Sequence, residues 1–403
     1  MTFADDGARV VPQTPPRGTR PRNRRVITLA AATTLFARRG YANVAMSDIA
    51  AATNVGASAI YRHFPAKSEL LIAAIRSGLS AYNAVLSESV EPEDSVRLTG
   101  LFRALAECAL SQRELGVLWQ REARNLDAAQ LRVPRDELIA TSGLLSARLA
   151  AARPDLDASQ IDILSWCVLG ALVSIGFHSV SIDHDDFVEL LAGMAETISL
   201  VRFDGDLDAA TWTPRERPLD ESTRDSLIVE ATELFAEKGF AAAGIDEIGS
   251  AVGIAGPSIY GHFSSKQHLL VAAMQRGADL LLSETQRVLD APSTARAKLG
   301  ALVDSYVSLL NRDRFIIRVL LSEMNQLPDE EREVARRQQR EYIATWVELY
   351  RQFNVADEDS ARIRVQAVLL VVNDAIQTPH MRSHPHFEGV LRRIAKSLLG
   401  LID

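Results

Sequence analysis

The sequence predicts an all-α protein built of two tandem helical units, and three observations carry that prediction. Ile60-Tyr61-Arg62-His63-Phe64-Pro65-Ala66-Lys67 returns 199 residues later as Ile259-Tyr260-Gly261-His262-Phe263-Ser264-Ser265-Lys266. The same ungapped shift aligns Leu35-Phe36-Ala37 with Leu234-Phe235-Ala236, Gly40 with Gly239 and Leu70-Leu71 with Leu269-Leu270. A repeat of this length constrains the whole fold. Second, the apolar residues inside each copy recur at helical intervals. Third, the composition is 47% hydrophobic but only 6% aromatic, with 22 glycines in 403 residues, which suits Ala/Leu-rich helices.

Each element follows from its residues. Residues 1–22 hold Pro12, Pro15, Pro16 and Pro21 among arginines and show no periodicity. They read as a disordered basic tail or as a basic arm for a minor groove. A domain is expected over 23–77. Its first helix carries Ala30, Ala31, Leu35 and Phe36 and stops at Gly40, since glycine reaches positive φ without strain. Ile49 and Ala52 mark a short second helix, and Asn54 suits a tight turn. A third helix carries Ile60, Tyr61 and Phe64, so the spacing is that of a helix-turn-helix. A helical domain is expected over 78–202, with runs near 96–112, 114–125, 133–152, 159–180 and 187–202. Residues 203–221 read as a linker, with Ser222 capping the first helix of the second copy. That copy covers 222–276, and a second helical domain follows over 277–403. There Glu137-Leu138-Ile139-Ala140-Thr141 is echoed by Glu341-Tyr342-Ile343-Ala344-Thr345, the shift having grown to 204.

Phe36, Gly40, Ile49-Ala50, Asn54-Val55, Ile60-Tyr61-Arg62-His63-Phe64 and Lys67-x-x-Leu70 resemble the N-terminal DNA-binding domain of TetR-type transcriptional repressors. Leu234 to Leu270 resembles the same family. The resemblance implies two complete members fused in tandem, each a DNA-binding head followed by a helical ligand-binding and dimerisation bundle. It places Tyr61 and His63 on phosphates and Lys67 beside the groove, with Arg62 as a further cation. Ala57, Ser58 and Ala59 fall on the turn that reads base edges, with Ser47 and Thr53 as contributors. Gly56 and Ala45 stand where helix caps are usual, each loss worth about 0.5–1 kcal/mol. Ser258, Tyr260, His262 and Lys266 are the matching candidates in the second copy.

The two heads differ in charge. From Arg20 to Arg76 nine basic residues, among them Arg24, Arg25, Arg38 and Arg39, face only Asp48 and Glu69, a balance of +7. The matching window from Leu219 to Gln275 holds three basic residues against eight acidic ones, a balance of −5. Neutralising phosphates supplies most non-specific DNA affinity, so the first head is expected to bind DNA and the second to be a worn copy. The overall charge of −8 conceals this local basicity.

Other functions find little support. No phosphate-binding glycine loop, nucleophile elbow or His-Glu-x-x-His is present, so an enzyme is not expected. His380, His384 and His386 lie in a proline-marked loop, and neither a metal nor another cofactor is expected. Cys108 and Cys167 are the only cysteines, which suits a reducing cytoplasm. No uninterrupted apolar run is long enough for a membrane span. The expected partners are double-stranded operator DNA and a small apolar effector, acyl-CoA-like or otherwise hydrophobic. Candidate pocket residues are Arg121, Trp166, Gly170, Val173, Phe177 and Asn373. Two chains pairing as a homodimer is the favoured arrangement, with an intramolecular pseudo-dimer as the alternative. A DNA-binding or architectural protein without small-molecule control is the rival function.

Overall fold

The computed structural model describes residues 24–88, 98–205, 207 and 222–402, so the expected basic tail and most of the expected linker lie outside it. Among the described residues every regular element is a helix. The chain divides into two compact units at Leu200 and Val201.

In the first unit α1 (Arg24–Arg39), α2 (Met46–Thr53) and α3 (Ala57–Tyr61) form the head. Gly40 ends α1 at φ 82, and Asn54 ends α2 in the left-handed region at φ 51. Phe36, Ile49, Ile60 and Phe64 meet in a core with Leu70 and Leu71, all of them buried. Burying each such side chain stabilises the head by roughly 1.5–3 kcal/mol. Leu70 and Leu71 belong to α4 (Lys67–Ser87), which continues from the head into the bundle.

The rest of this bundle comprises α5 (Thr99–Ser111), a short α6 (Leu115–Val117), α7 (Ala128–Ala152), α8 (Ala158–Val173) and α9 (His184–Ser199). The helix expected over 114–125 is broken: after α6 the chain makes a π turn over Leu118–Glu122 and a 3-10 turn over Ala123–Asn125. α7 begins five residues before the expected position. The Asp127 side chain accepts from the Gln130 backbone N–H, and the Gln130 side chain accepts from that of Asp127. Several side-chain bridges join α4 and α7, among them Gln130 donating to Ser68 at 3.3 Å. Arg76 donates to Glu137 at 2.7 Å, Thr141 to Asn83 at 2.8 Å, and Arg148 to the Leu86 carbonyl at 3.0 Å.

Beyond α8, Arg113 donates to the carbonyls of Ile175, His178 and Val180 and so holds the following loop. His178 is buried there and stacks on Phe187, a core histidine. Gly176 lies directly on the Arg113 carbonyl, and a Cβ there would collide with it. The colliding atom is backbone and cannot swing aside. Gly176→Ala is therefore expected to destabilise the unit by about 2–3 kcal/mol. An unchanged denaturant midpoint would reject this packing.

The second unit repeats the order. Its head has α10 (Thr223–Lys238), α11 (Ile245–Ala251) and a 3-10 turn over Gly256–Gly261. Ser222 caps α10 by accepting from the Asp225 N–H. Phe235, Ile248, Ile259 and Phe263 form the buried counterpart of the first core. The bundle holds α12 (Lys266–Asp290), α13 (Ala295–Arg312), α14 (Arg314–Ser322), α15 (Asp329–Arg351), α16 (Glu358–Gln377) and α17 (Phe387–Leu398). Its centre is polar as well as apolar: the Tyr306 hydroxyl donates to Asn373 at 2.6 Å, and Lys396 meets the fully buried Asp304 at 2.6 Å.

Two helical stretches, Lys67–Ser87 and Ala158–Phe177, are long and apolar enough to cross a membrane by length and composition alone. Both pack in the bundle of the first unit, whose core explains their apolar character.

Candidate nucleic-acid interface

The first head presents a polar face on and just beyond α3. Ile60 and Phe64 turn inward and are buried, which leaves Tyr61, Arg62 and His63 on the outside, Tyr61 49% exposed. A tyrosine at that exposure offers its hydroxyl to solvent instead of to the core. Ser58 is also exposed and Ala59 partly so, beside the turn that begins at Gly56. Ala57 opens α3, and Gly56 gives it no side-chain cap. Ser47 is exposed on the first turn of α2. That helix lacks a side-chain cap at Ala45, but Asp48 accepts the Ala45 N–H at 2.8 Å and also meets Arg39 at 3.7 Å. Arg25 lies over the Phe64 ring at 5.2 Å and stays exposed, while Arg24 is half-buried.

One expected DNA contact is corrected, and a second residue is found bonded within the head. Thr53 is 1% exposed, and its hydroxyl donates to the Ile49 carbonyl at 2.8 Å. It serves its own helix and faces the core. Lys67 donates to the carbonyls of Tyr41 and Val44 at 2.8 and 3.0 Å and lies 4.1 Å from the Tyr41 ring centre. Burial lowers its pKa, and its charge is spent on the loop between α1 and α2. Lys67 therefore fixes the loop between α1 and α2.

The head is also fastened from below. The π turn carries Arg121 and Glu122 to the end of α1. Glu122 accepts the Tyr41 N–H at 2.7 Å, and Arg121 donates both to Glu122 and to the Ala37 carbonyl. Glu122 is 4% exposed. Arg121, expected in a pocket, clamps the DNA head through these bonds.

In the second head Ser258, Tyr260 and His262 remain exposed, Tyr260 to 55%. Lys266 is placed as Lys67 is: it points to the Ala241 carbonyl at 3.4 Å and the Phe240 ring at 4.7 Å. The reading turn is 3-10, and Asp246 presses its carboxylate against Gly256 at the start of it. Lys238 is taken up by Glu247. Glu323 keeps the buried place of Glu122, but Ser322 stands where the arginine clamp would be.

The other pocket candidates are mostly packed. Val173 and Phe177 close on Gly116, where an added Cβ would lie 2.7 Å from the Val173 carbonyl oxygen and 3.2 Å from the Phe177 ring. Gly170 is buried, Trp166 is half-buried on α8, and Asn373 is buried against Tyr306. Asn373 belongs to the second unit and the other candidates to the first. A groove that the sequence reading missed lies instead between α12 and α15, lined by Asp279, Leu282, Glu341 and Tyr342 among others.

Two helix-turn-helix heads, each continuing into a helical bundle, define a tandem DNA-binding regulator architecture. The family of bacterial regulatory proteins of the tetR type matches residues 29–74 and again 227–273, and a tetracyclin repressor-like C-terminal domain matches 292–377. The chain belongs to the TetR family, with the DNA-binding domain present twice. It is 38% identical over 96 residues to the transcriptional activator FasR of Mycolicibacterium smegmatis, covering 24% of this chain and 43% of that protein. It is 29% identical over 97 residues to the transcriptional repressor KstR2 of the same organism, covering 24% and 47%. The chain thus spans less than half the length of these two relatives. A TetR-family regulator from Bordetella parapertussis superposes with a TM-score of 0.41 at 21% identity, covering 44% of this chain and 94% of that one.

Proposed function

We propose that the chain is a sequence-specific DNA-binding transcriptional regulator, acting as a repressor that a small molecule releases from its operator. The observation that carries this reading is the exposed Tyr61-Arg62-His63 face on a basic head. Tyr61 and His63 hold phosphates, while Ser47, Ser58 and the backbone around Ala57 and Ala59 sit at the bases. Few of these side chains can make bidentate base contacts, so DNA shape contributes to specificity. Repression requires only that the bound head occupy its site.

Two chains pair their basic heads in this reading, and the acidic heads take no part in DNA contact. If each chain brings about four cations to phosphates, the log–log slope of binding against salt is expected near −7, at roughly −0.9 per phosphate. One chain acting alone through both heads would give about half that slope. A salt titration on a footprinted operator, with stoichiometry fixed by light scattering, measures it. A shallow slope with one chain per operator would reject pairing.

A further inference from the structure

The bridges that join α4 and α7 in the first unit are not repeated in the second, where Tyr342 on α15 instead hydrogen-bonds Thr285 on α12. Arg76 corresponds to Gln275, whose amide turns to Asp279 on its own helix at 2.8 Å. Asn83 corresponds to Leu282. Thr345, the match of Thr141, donates only to its own helix at the Glu341 carbonyl, 3.0 Å away. Gln352 stands in the place of Arg148. These three bridges of the first unit therefore lose a partner in the second. Glu341, the match of Glu137, stays exposed with a glutamine where its arginine would be.

The result is a groove of about 500 Å³ between α12 and α15. Its polar lining includes two carboxylates, Asp279 and Glu341, and no lysine or arginine. Leu282 and the ring of Tyr342 supply apolar surface. Behind Tyr342 stand Trp346 and Tyr306, with ring centres 6.0 and 6.2 Å from it. Carboxylates beside an aromatic face favour a cation and disfavour an anion.

We infer that this groove is the effector site of the chain and that it takes an organic cation with an aromatic body. The charge lies with Asp279 and Glu341, and the body lies against Tyr342 and Leu282. The assignment rests on the ligand-controlled reading above and sharpens it: the effector is cationic and enters the second unit, while the stitched first unit carries the DNA contacts. Acyl thioesters and carboxylates carry the wrong charge for this lining.

The test is calorimetry of the full chain, without DNA, against 1-benzylquinolinium and naphthalene-2-sulfonate. The cation is expected to bind once per chain and at least about tenfold more tightly than the anion. Glu341→Gln is expected to weaken it about tenfold, and Tyr342→Leu, the first unit's residue, by a similar factor. Gln275→Arg with Leu282→Asn restores the first unit's bridging side chains and is expected to abolish binding while helicity is kept. Absence of cation binding, equal binding of the anion, or a folded Gln275→Arg/Leu282→Asn variant that still binds would overturn the assignment. Should that variant fail to fold, Glu341→Gln and Tyr342→Leu decide it, and unchanged affinity in both would overturn it. Adding footprinted operator separates the two claims: a cation that binds here yet leaves the operator occupied refutes release, not the site.

Discussion

Replacing Tyr61 and His63 together by alanine is expected to weaken operator binding about a hundredfold, and by a similar factor on unrelated DNA. Each group is assigned to a phosphate, and a hydrogen bond to a charged partner is worth about 1.5–3 kcal/mol. Phosphate contacts position the protein without reading sequence, which is why the loss should not depend on the site. The same exchange at Tyr260 and His262 is expected to change affinity by less than about twofold, because their head is acidic and its lysines are engaged elsewhere. Gel-shift titrations of both double variants measure this. Equal losses would show that the second head also touches DNA.

Arg121→Ala is expected to be as damaging without touching DNA. Glu122 is buried and holds the Tyr41 N–H, and Arg121 is its charge partner. Removing one member of a buried pair leaves an uncompensated charge and costs about 3–5 kcal/mol. The cost should fall on the junction of α1 and α2, so amide exchange there should speed up and operator affinity should drop. Removing Glu122 as well is expected to recover part of the stability, since the stranded charge is then gone. Ser322→Ala, the matching change in the second unit, should leave exchange in its own head within about twofold. Unaltered exchange at Ala37 to Val44 in the Arg121 variant would refute the clamp.

The legible parts of this fold are those that short stretches of sequence determine. Gly40 and Asn54 were readable because a positive φ is a local demand that few residues meet. Phe36, Ile60 and Phe64 were readable as core from helical spacing. Thr53 was misread because a threonine near a helix end either faces outward or bonds back to its own turn, and spacing does not choose. The bonds of Lys67 were not legible because its carbonyl partners lie 23 and 26 residues earlier, in a loop whose path only the folded head defines. Arg121 was read as a pocket residue; its pairing with Glu122 was not legible because a π turn with no sequence signature carries both toward the interior. The α12–α15 groove is created by lost partners. Its signal was present in the sequence, but only in the contrast of Arg76 with Gln275 and Asn83 with Leu282.

That contrast has a consequence at the level of the gene. Arginine codons CGA and CGG become the glutamine codons CAA and CAG through one transition at the middle base. Where Arg76 is encoded by CGA or CGG, its bridge to Glu137 is a single point mutation away from release. In a duplicated chain one copy can take that step while its sibling keeps the locked form. A seam helix can in this way acquire a new chemical specificity without putting the older DNA contacts at risk, and selection can reverse the step as readily.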